Sequence, residues 1–535
     1  MVEADILSYG RAAVEWSTSS LAHLAVTLLA VVAAVVVVPF FQRTHLIGIP
    51  GPLAAKFSDF WLLRTAMNGH RFQSVHEQHQ KYGTFVRIAP NHVSIAHHDA
   101  LNPVYGHGTG TLKPEYYDAF VPPRPFPRGL FNTRDRAEHT RKRKIVSHTF
   151  APKTITAFEP FIRREIQMLL DRWDEFCAKA KDEQKEGPRP GTKGRAWLDV
   201  LMWLNFFAFD AIGDLAFGST FGMLEKGVDE AKVEYEDSDG NKKVDYCSAV
   251  TIINERGEFS GTMGLAPTWM RPYLLKLPWF ERRLRSVKKL TGIALARVND
   301  RLQNGSERED LLAKLQSAKD DRGEPMGKME LTAEALTQLI AGSDTTSNSS
   351  CAIVYHLATH PDKMRKLQAE LDEELKHSED VPLHSDVQEL PYLQAVLSES
   401  LRYHSTSAIG LPRVIPAGGA TVCGKFFPAG TTLSVPAYTV HREKEVYGDD
   451  AEEYNPDRWL APDARKNFDK AFIPFSVGPR ACVGRNVAMM ELSLLIAAIF
   501  RRYDIVLAEP DKDLPTFEGF LRKPTILIAG LKRRE

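Results

Sequence analysis

The stretch Phe475-Ser476-Val477-Gly478-Pro479-Arg480-Ala481-Cys482-Val483-Gly484 narrows what this chain can become more than any other. A single cysteine stands between two glycines, with an arginine two residues before it. A cysteine that is to hold a buried iron must do so as a thiolate. A thiolate needs backbone N–H donors to moderate its charge, and glycines let the main chain turn closely around the sulfur. Arg480, a forked and always-charged donor, can neutralise a haem propionate, and Phe475 can pack against the macrocycle. The bland alternative is a buried core cysteine, the commonest fate of a free thiol. Against it, the spaced pattern Phe-x-x-Gly-x-Arg-x-Cys-x-Gly arises by chance in on the order of one in ten thousand chains of this size. Iron ligation by Cys482 is the expectation.

The 535 residues exceed one typical domain, yet no shift in composition divides them. Apolar residues at 43% and charged residues at 25% suit a globular body with a sizeable core. Lys+Arg and Asp+Glu both count 68, so nothing favours nucleic acid as a partner. The five cysteines are scattered without a CxxC pair, which argues against a disulfide framework or zinc site and for a reducing compartment. Residues 21–41 are apolar except for His23 and Thr27, long enough to cross a hydrocarbon core of ~30 Å. A secretory signal is the competing reading, with a shorter apolar region and a cleavage site after it. Arg43, Lys56 and Arg64 follow the run while Glu3, Asp5, Arg11 and Glu15 precede it, which leaves the C-terminal body in the cytoplasm. The expected layout is a lumenal segment (1–20), a single anchor helix (21–41), a Pro/Gly hinge (42–52) and one catalytic domain (53–535). No later stretch reads as a second span.

Along the body, an α+β region runs to about Arg128, and helical periodicity dominates from Glu138 to about Gln388. Three polar stretches, 179–195, 225–243 and 304–328, read as solvated loops. A long helix is predicted from near Thr332 to His360-Pro361, carrying the polar cluster Ala341-Gly342-Ser343-Asp344-Thr345-Thr346. Short strands follow at Lys425-Phe426-Phe427 and Thr432 to Val435, then a last helix from Arg485 to Phe500. The fold class is mostly α with small β-sheets.

The Cys482 stretch resembles the haem-ligand signature of the cytochrome P-450 superfamily. Glu399-Ser400-Leu401-Arg402 resembles its Glu-x-x-Arg helix, with Asn455-Pro456-Asp457-Arg458-Trp459 between it and the cysteine. Alone, Glu-x-x-Arg is a weak signal, since an i,i+3 surface pair is the default. The resemblance implies that Glu399, Arg402 and Arg458 form a buried charge network bracing the ligand loop. It also implies that Ala341 to Thr346 is the oxygen-activation motif. There Asp344 and Thr345 would relay protons, and Gly342 would let the helix open. The competing reading is that Thr345 bonds back to a carbonyl one turn earlier. His139 to Arg143 resembles the helix over a propionate, with His139 in place of tryptophan. Arg143 and Arg413 are then further propionate ligands. The implied cofactor is haem b. Electrons are expected from NADPH through a separate NADPH–cytochrome P-450 reductase, with cytochrome b5 as a second donor, because no Gly-x-Gly-x-x-Gly fingerprint is present. Arg141, Lys142 and Lys144 are a candidate docking patch for an acidic donor. The implied location is the endoplasmic reticulum membrane.

Within that superfamily, Arg128 to His148, Leu331 to Cys351, His404 to Pro412 and Glu518 to Pro524 resemble the fungal benzoate 4-monooxygenases. The resemblance implies para-hydroxylation of benzoate, a small aromatic carboxylate, by dioxygen. Val121 to Pro127 departs from the pattern where the family builds a pocket wall. Hydroxyls could seat the carboxylate, with Ser405, Thr406 and Ser407 as candidates. Ala341 and Gly342 would border the pocket, and Phe517, Phe520 and Leu521 could cover the ring; turn chemistry or core packing competes at each. Another aromatic acid or hydrophobic metabolite, a haem sensor, and a haem-thiolate isomerase or dehydratase stand as alternatives.

Overall fold

The computed structural model describes residues 21–32, 43–151, 155–236, 241–305, 310–319 and 323–535. At its centre lies the helix Lys328–Thr359, 32 residues long. Leu331, Leu336, Leu339, Ile353, Val354 and Leu357 recur at helical spacing and are all buried. Pro361, which has no N–H to continue the ladder, opens the next helix, Pro361–Glu374. Helices Val200–Phe217, Pro278–Asn304 and Arg485–Arg502 pack around the central one. Asp199 caps Val200–Phe217 by accepting the N–H of Leu201, and Gly218 closes it at φ 73°. By length and composition this helix could cross a membrane, contrary to the expectation that nothing after residue 41 could. All its residues except Met202 are buried, because a helix apolar on every side belongs inside a large core.

The sheets are small and lie at the periphery. One has four strands in the order Phe85–Ala89, His92–Ile95, Thr432–Ser434, Arg413–Val414, the middle pair parallel. Another joins Tyr503–Leu507, Ile528–Arg533 and Ala196–Asp199. The antiparallel pair Thr516–Glu518 and Arg522–Pro524 puts Phe517, Phe520 and Leu521 near the central helix.

Two of the stretches read as loops carry elements. Ala231–Glu236 pairs antiparallel with Lys242–Cys247. Ala231 and Val233 alternate inward between charged Lys232 and Glu234, so high charge hid a period-two pattern. In the third stretch, Asp310 caps the helix Leu311–Ser317, whose Leu311, Leu312 and Leu315 are buried. Near the N-terminus, Leu21–Val32 is helical with Leu24, Leu28, Leu29 and Val31 exposed. Residues 1–20 and 33–41 of the expected segment and anchor lie outside the described residues. Leu46 and Ile49 are buried, and Pro50 accepts the N–H of Arg87 at 2.8 Å. The Pro/Gly segment is thus strapped along the edge strand of the four-stranded sheet.

Candidate active site

The loop before Cys482 is folded by its own backbone. The N–H of Ser476 reaches Ile473, that of Ala481 reaches Gly478, and that of Cys482 reaches Phe475 at 2.9 Å. Gly478 takes φ +74°, and a β-carbon there would sit 1.9 Å from the carbonyl oxygen of Tyr105, so no other residue fits. Two arginines grip the loop from either side: Arg143 donates to Ala481 O and Arg480 to Thr133 O, both at 2.6 Å. Phe475 packs on the main core. Cys482 is the one exposed cysteine of the five. Its sulfur nonetheless lies well enclosed, and burial pushes the thiol up. Opposing this, the N–H groups of Gly484 and Arg485, at the start of helix Arg485–Arg502, and the charges of Arg143 and Arg485 favour the anion.

Behind the loop, Glu399 and Arg402 form a two-bonded pair at 2.7 and 2.8 Å, both fully buried. Arg458 (3.1 Å), Trp459 Nε1 (2.9 Å) and the N–H of Asn455 (2.8 Å) complete the Glu399 carboxylate. His441, which the sequence reading did not single out, carries this network to the ligand loop. Its Nε2 accepts the N–H of Ile473 at 2.9 Å, which leaves the proton on Nδ1 facing Ser405 Oγ at 2.6 Å. Burial and Arg402 push His441 down to about 3, so the ring stays neutral.

Ahead of the loop, basic side chains converge. Burial, then Arg480, Lys113, Arg143 and Arg413, push His139 down to about 3. Lys113 is held well below the ordinary lysine range by burial and by Arg413 and Arg480. Arg413 donates to Tyr117 Oη at 2.9 Å, and Lys113 donates to Phe131 O and lies over the Tyr117 and Phe131 rings. Among the described residues no carboxylate pairs with Lys113, His139, Arg413 or Arg480. Like charges gathered this way are unfavourable unless an anion joins them. A thiol with two N–H donors beside the unpaired guanidiniums of Arg413 and Arg480 fits haem, which brings iron and two carboxylates. Lys113 was illegible in the sequence because nothing around it forms a pattern. Two members of the expected docking patch are tied down: Arg141 pairs with Glu138 and Glu330, and buried Lys142 pairs with Glu330 and Glu334, while Lys144 is exposed. Glu330 and Glu334 lie one turn apart on the central helix, so Arg141 and Lys142 turn toward it.

On the central helix, Thr345 Oγ1 donates to Ala341 O at 2.7 Å, the back-bonded arrangement. Asp344 Oδ1 accepts from Lys523 Nζ at 2.8 Å. Ala341 is exposed in an otherwise buried stretch and Thr345 is half-buried on the same face, so this side fronts open space. Gly342 does not open the helix. A β-carbon there would lie 2.6 Å from the Ile212 side chain, so its role is close packing against Val200–Phe217. Thr346 donates to the buried Glu491 at 2.9 Å, tying the central helix to the one that follows Cys482. Phe517, Phe520 and Leu521 line a cavity of about 470 Å³ together with Ile340, Asp344 and Lys523. Val121 to Pro127 follows Phe120, whose ring meets that of Phe520 at 4.8 Å. Ser405 cannot seat a carboxylate, because its hydroxyl is committed to Arg402 O and His441. Thr406 shares a hydrogen bond with Ser349 at 3.1 Å, and Ser407 is half-buried beside it.

A family model described as cytochrome P450 matches residues 50–528. The chain is 48% identical over 515 residues to a benzoate 4-monooxygenase of Aspergillus niger, covering 95% of this chain and 96% of that protein. It is 32% identical to a cytochrome P450 monooxygenase of Aspergillus terreus, covering 86% and 90%. It is 31% identical to a tryprostatin B 6-hydroxylase of Aspergillus fumigatus, covering 85% and 74%.

Proposed function

The chain belongs to the cytochrome P450 family, a haem-thiolate family, and from that premise we propose that it hydroxylates benzoate at the para carbon to give 4-hydroxybenzoate. The observation that carries this reading is 48% identity across 95% of the chain to a benzoate 4-monooxygenase. When bound, haem supplies the activation of dioxygen and the insertion of one oxygen atom into a C–H bond, with two electrons and two protons consumed and water released. Cys482 Sγ would hold its iron as a thiolate, with the Gly484 and Arg485 N–H groups and Arg143 opposing the effect of burial on the anion. Arg480, Arg413, Arg143 and His139, joined by Lys113, would hold its propionates, and Phe475 would pack on the ring. Glu399, Arg402 and Arg458 keep the loop in register.

Asp344 and Thr345 move protons into the site. Thr345 Oγ1 spends its own hydrogen on Ala341 O, which leaves its oxygen able to accept one. Lys523 holds Asp344 Oδ1, and Oδ2 is left to exchange protons with the cavity. Electrons come from NADPH through a separate reductase. The exposed apolar surface of Leu21–Val32 supports an anchor in the endoplasmic reticulum membrane with the catalytic body in the cytoplasm. The test supplies purified protein with reductase, NADPH and benzoate. A reduced, carbon-monoxide-bound spectrum with a red-shifted Soret band and formation of 4-hydroxybenzoate are expected. Turnover of some other aromatic acid with none of benzoate would overturn the substrate.

A further inference from the structure

The cavity beside Asp344 is lined by four carboxylates and two cations, and their pairing is uneven. Asp199 accepts the N–H groups of Leu201 and Leu527. Asp229 accepts those of Ala249 and Val250 and the Ser248 hydroxyl. Glu258 holds Arg283 at 2.7 Å, and Asp344 holds Lys523 at 2.8 Å. Every carboxylate is therefore engaged, and Lys523 with them. Arg256, on the helix Ala249–Met263, is the exception. Among the described residues no oxygen accepts a hydrogen bond from its guanidinium. Its neighbours are the Phe120 ring at 5.3 Å and, through space, Asp344 and Tyr116. Burial outweighs these neighbours and pushes Arg256 down to about 10, still charged at neutral pH. A half-buried guanidinium without an acceptor is an unfavourable arrangement that a matching anion relieves.

The surroundings define that anion. Phe520, which lines the cavity, meets Phe120 at 4.8 Å and Phe131 at 5.4 Å, both edge-on. Edge-to-face packing of this kind receives another flat ring. The guanidinium lies at the border of the same aromatic group, where a planar carboxylate can take both of its forked N–H bonds. Resting on the reading that the substrate is a small aromatic acid, we propose that Arg256 is the residue that recognises its carboxylate. This replaces the serine and threonine hydroxyls with one buried charge. Discrimination against neutral aromatic molecules follows, because a neutral ligand leaves the guanidinium unpaired.

The test titrates the haem-loaded full-length protein with benzoate, benzamide and methyl benzoate, following the Soret shift, for the wild type, Arg256→Gln and Arg256→Lys. Arg256→Gln should weaken benzoate about 100-fold while the neutral ligands change by less than about threefold. Arg256→Lys, which keeps charge but loses the fork, should fall between. Unchanged reduced, carbon-monoxide-bound spectra establish that the variants fold. If Arg256→Gln does not take up haem, Arg256→Lys carries the same comparison. An unaltered benzoate affinity, or equal weakening of acid and neutral ligands, overturns the assignment. If the wild type ignores benzoate but binds another aromatic carboxylate that Arg256→Gln loses, the substrate reading falls and Arg256 stands. If the wild type binds only the neutral ligands, both fall.

Discussion

Burial and hydrogen bonding oppose each other at Cys482, and an iron ion would settle the contest for the thiolate. Cys482→Ser keeps the main-chain bonds within the loop and the Arg143 and Arg480 bonds that grip it, yet supplies a poor iron ligand. The variant should fold and lose both the red-shifted Soret band and turnover. At Thr345 the hydroxyl donates to Ala341 O, so Thr345→Ala removes one side-chain bond to a carbonyl inside a continuous helix. Haem content should be unchanged, while the ratio of product to hydrogen peroxide falls on the order of 100-fold, read by coupled product and peroxide assays. Glu399 behaves differently. Its removal leaves Arg402, fully buried, without the one carboxylate that pairs with it among the described residues, a loss of about 3–5 kcal/mol. Glu399→Ala should therefore be recovered with little haem. At this scale contiguity decided what could be read beforehand. The residues around Cys482 serve one sulfur and sit together in the chain. Lys113, His441 and Arg256 reach the site from separate segments, each without a pattern of its own.

The ligand loop and the helix after it meet at glycines with opposite tolerance. Gly478→Ala forces a β-carbon into Tyr105 O at a positive φ, whereas at Gly484 the nearest atom to an added carbon is 3.9 Å away. Gly478→Ala should abolish haem incorporation and Gly484→Ala should leave it near wild type, read from the Soret absorbance per protein. The same helix carries Glu491, which burial pushes from 4.5 to about 7 against a lowering by Thr346. A carboxyl raised in the folded state keeps its proton there while the unfolded chain releases it. Stability is thus full below about pH 4.5 and falls as pH rises toward about 7, by about 3 kcal/mol at most. Glu491→Gln retains an acceptor for Thr346 without the charge. Its melting midpoint should match wild type near about pH 5 and exceed it near about pH 8; equal gaps at both would remove this role. The central helix was legible because its apolar spacing is long and regular. The hairpin Ala231–Glu236 with Lys242–Cys247 was not, since only two of its inward residues are apolar and buried.

Over the whole molecule, the described N-terminal residues fall into two groups by burial. Leu24, Leu28, Leu29 and Val31 present apolar surface outward, whereas Leu46 and Ile49 are buried in the same cluster as Val93, Ile95 and Leu433. Gly51 approaches Arg87 so closely that a β-carbon would lie 2.3 Å from its carbonyl oxygen. Removal of residues 1–42 should therefore release the protein from membranes and leave haem content and melting temperature near those of the full chain. Removal of residues 1–52 takes away Leu46, Ile49 and the bond from Arg87 to Pro50 as well. Each buried aliphatic side chain is worth about 2–5 kcal/mol when deleted, a large share of the stability of most domains. The longer truncation should lower the melting temperature sharply and cut haem yield, because the strand Phe85–Ala89 loses its cover. Equal behaviour of the two truncations would show that the Pro/Gly strap is a passive tether, and membrane retention of the shorter one would move the membrane contact onto the body.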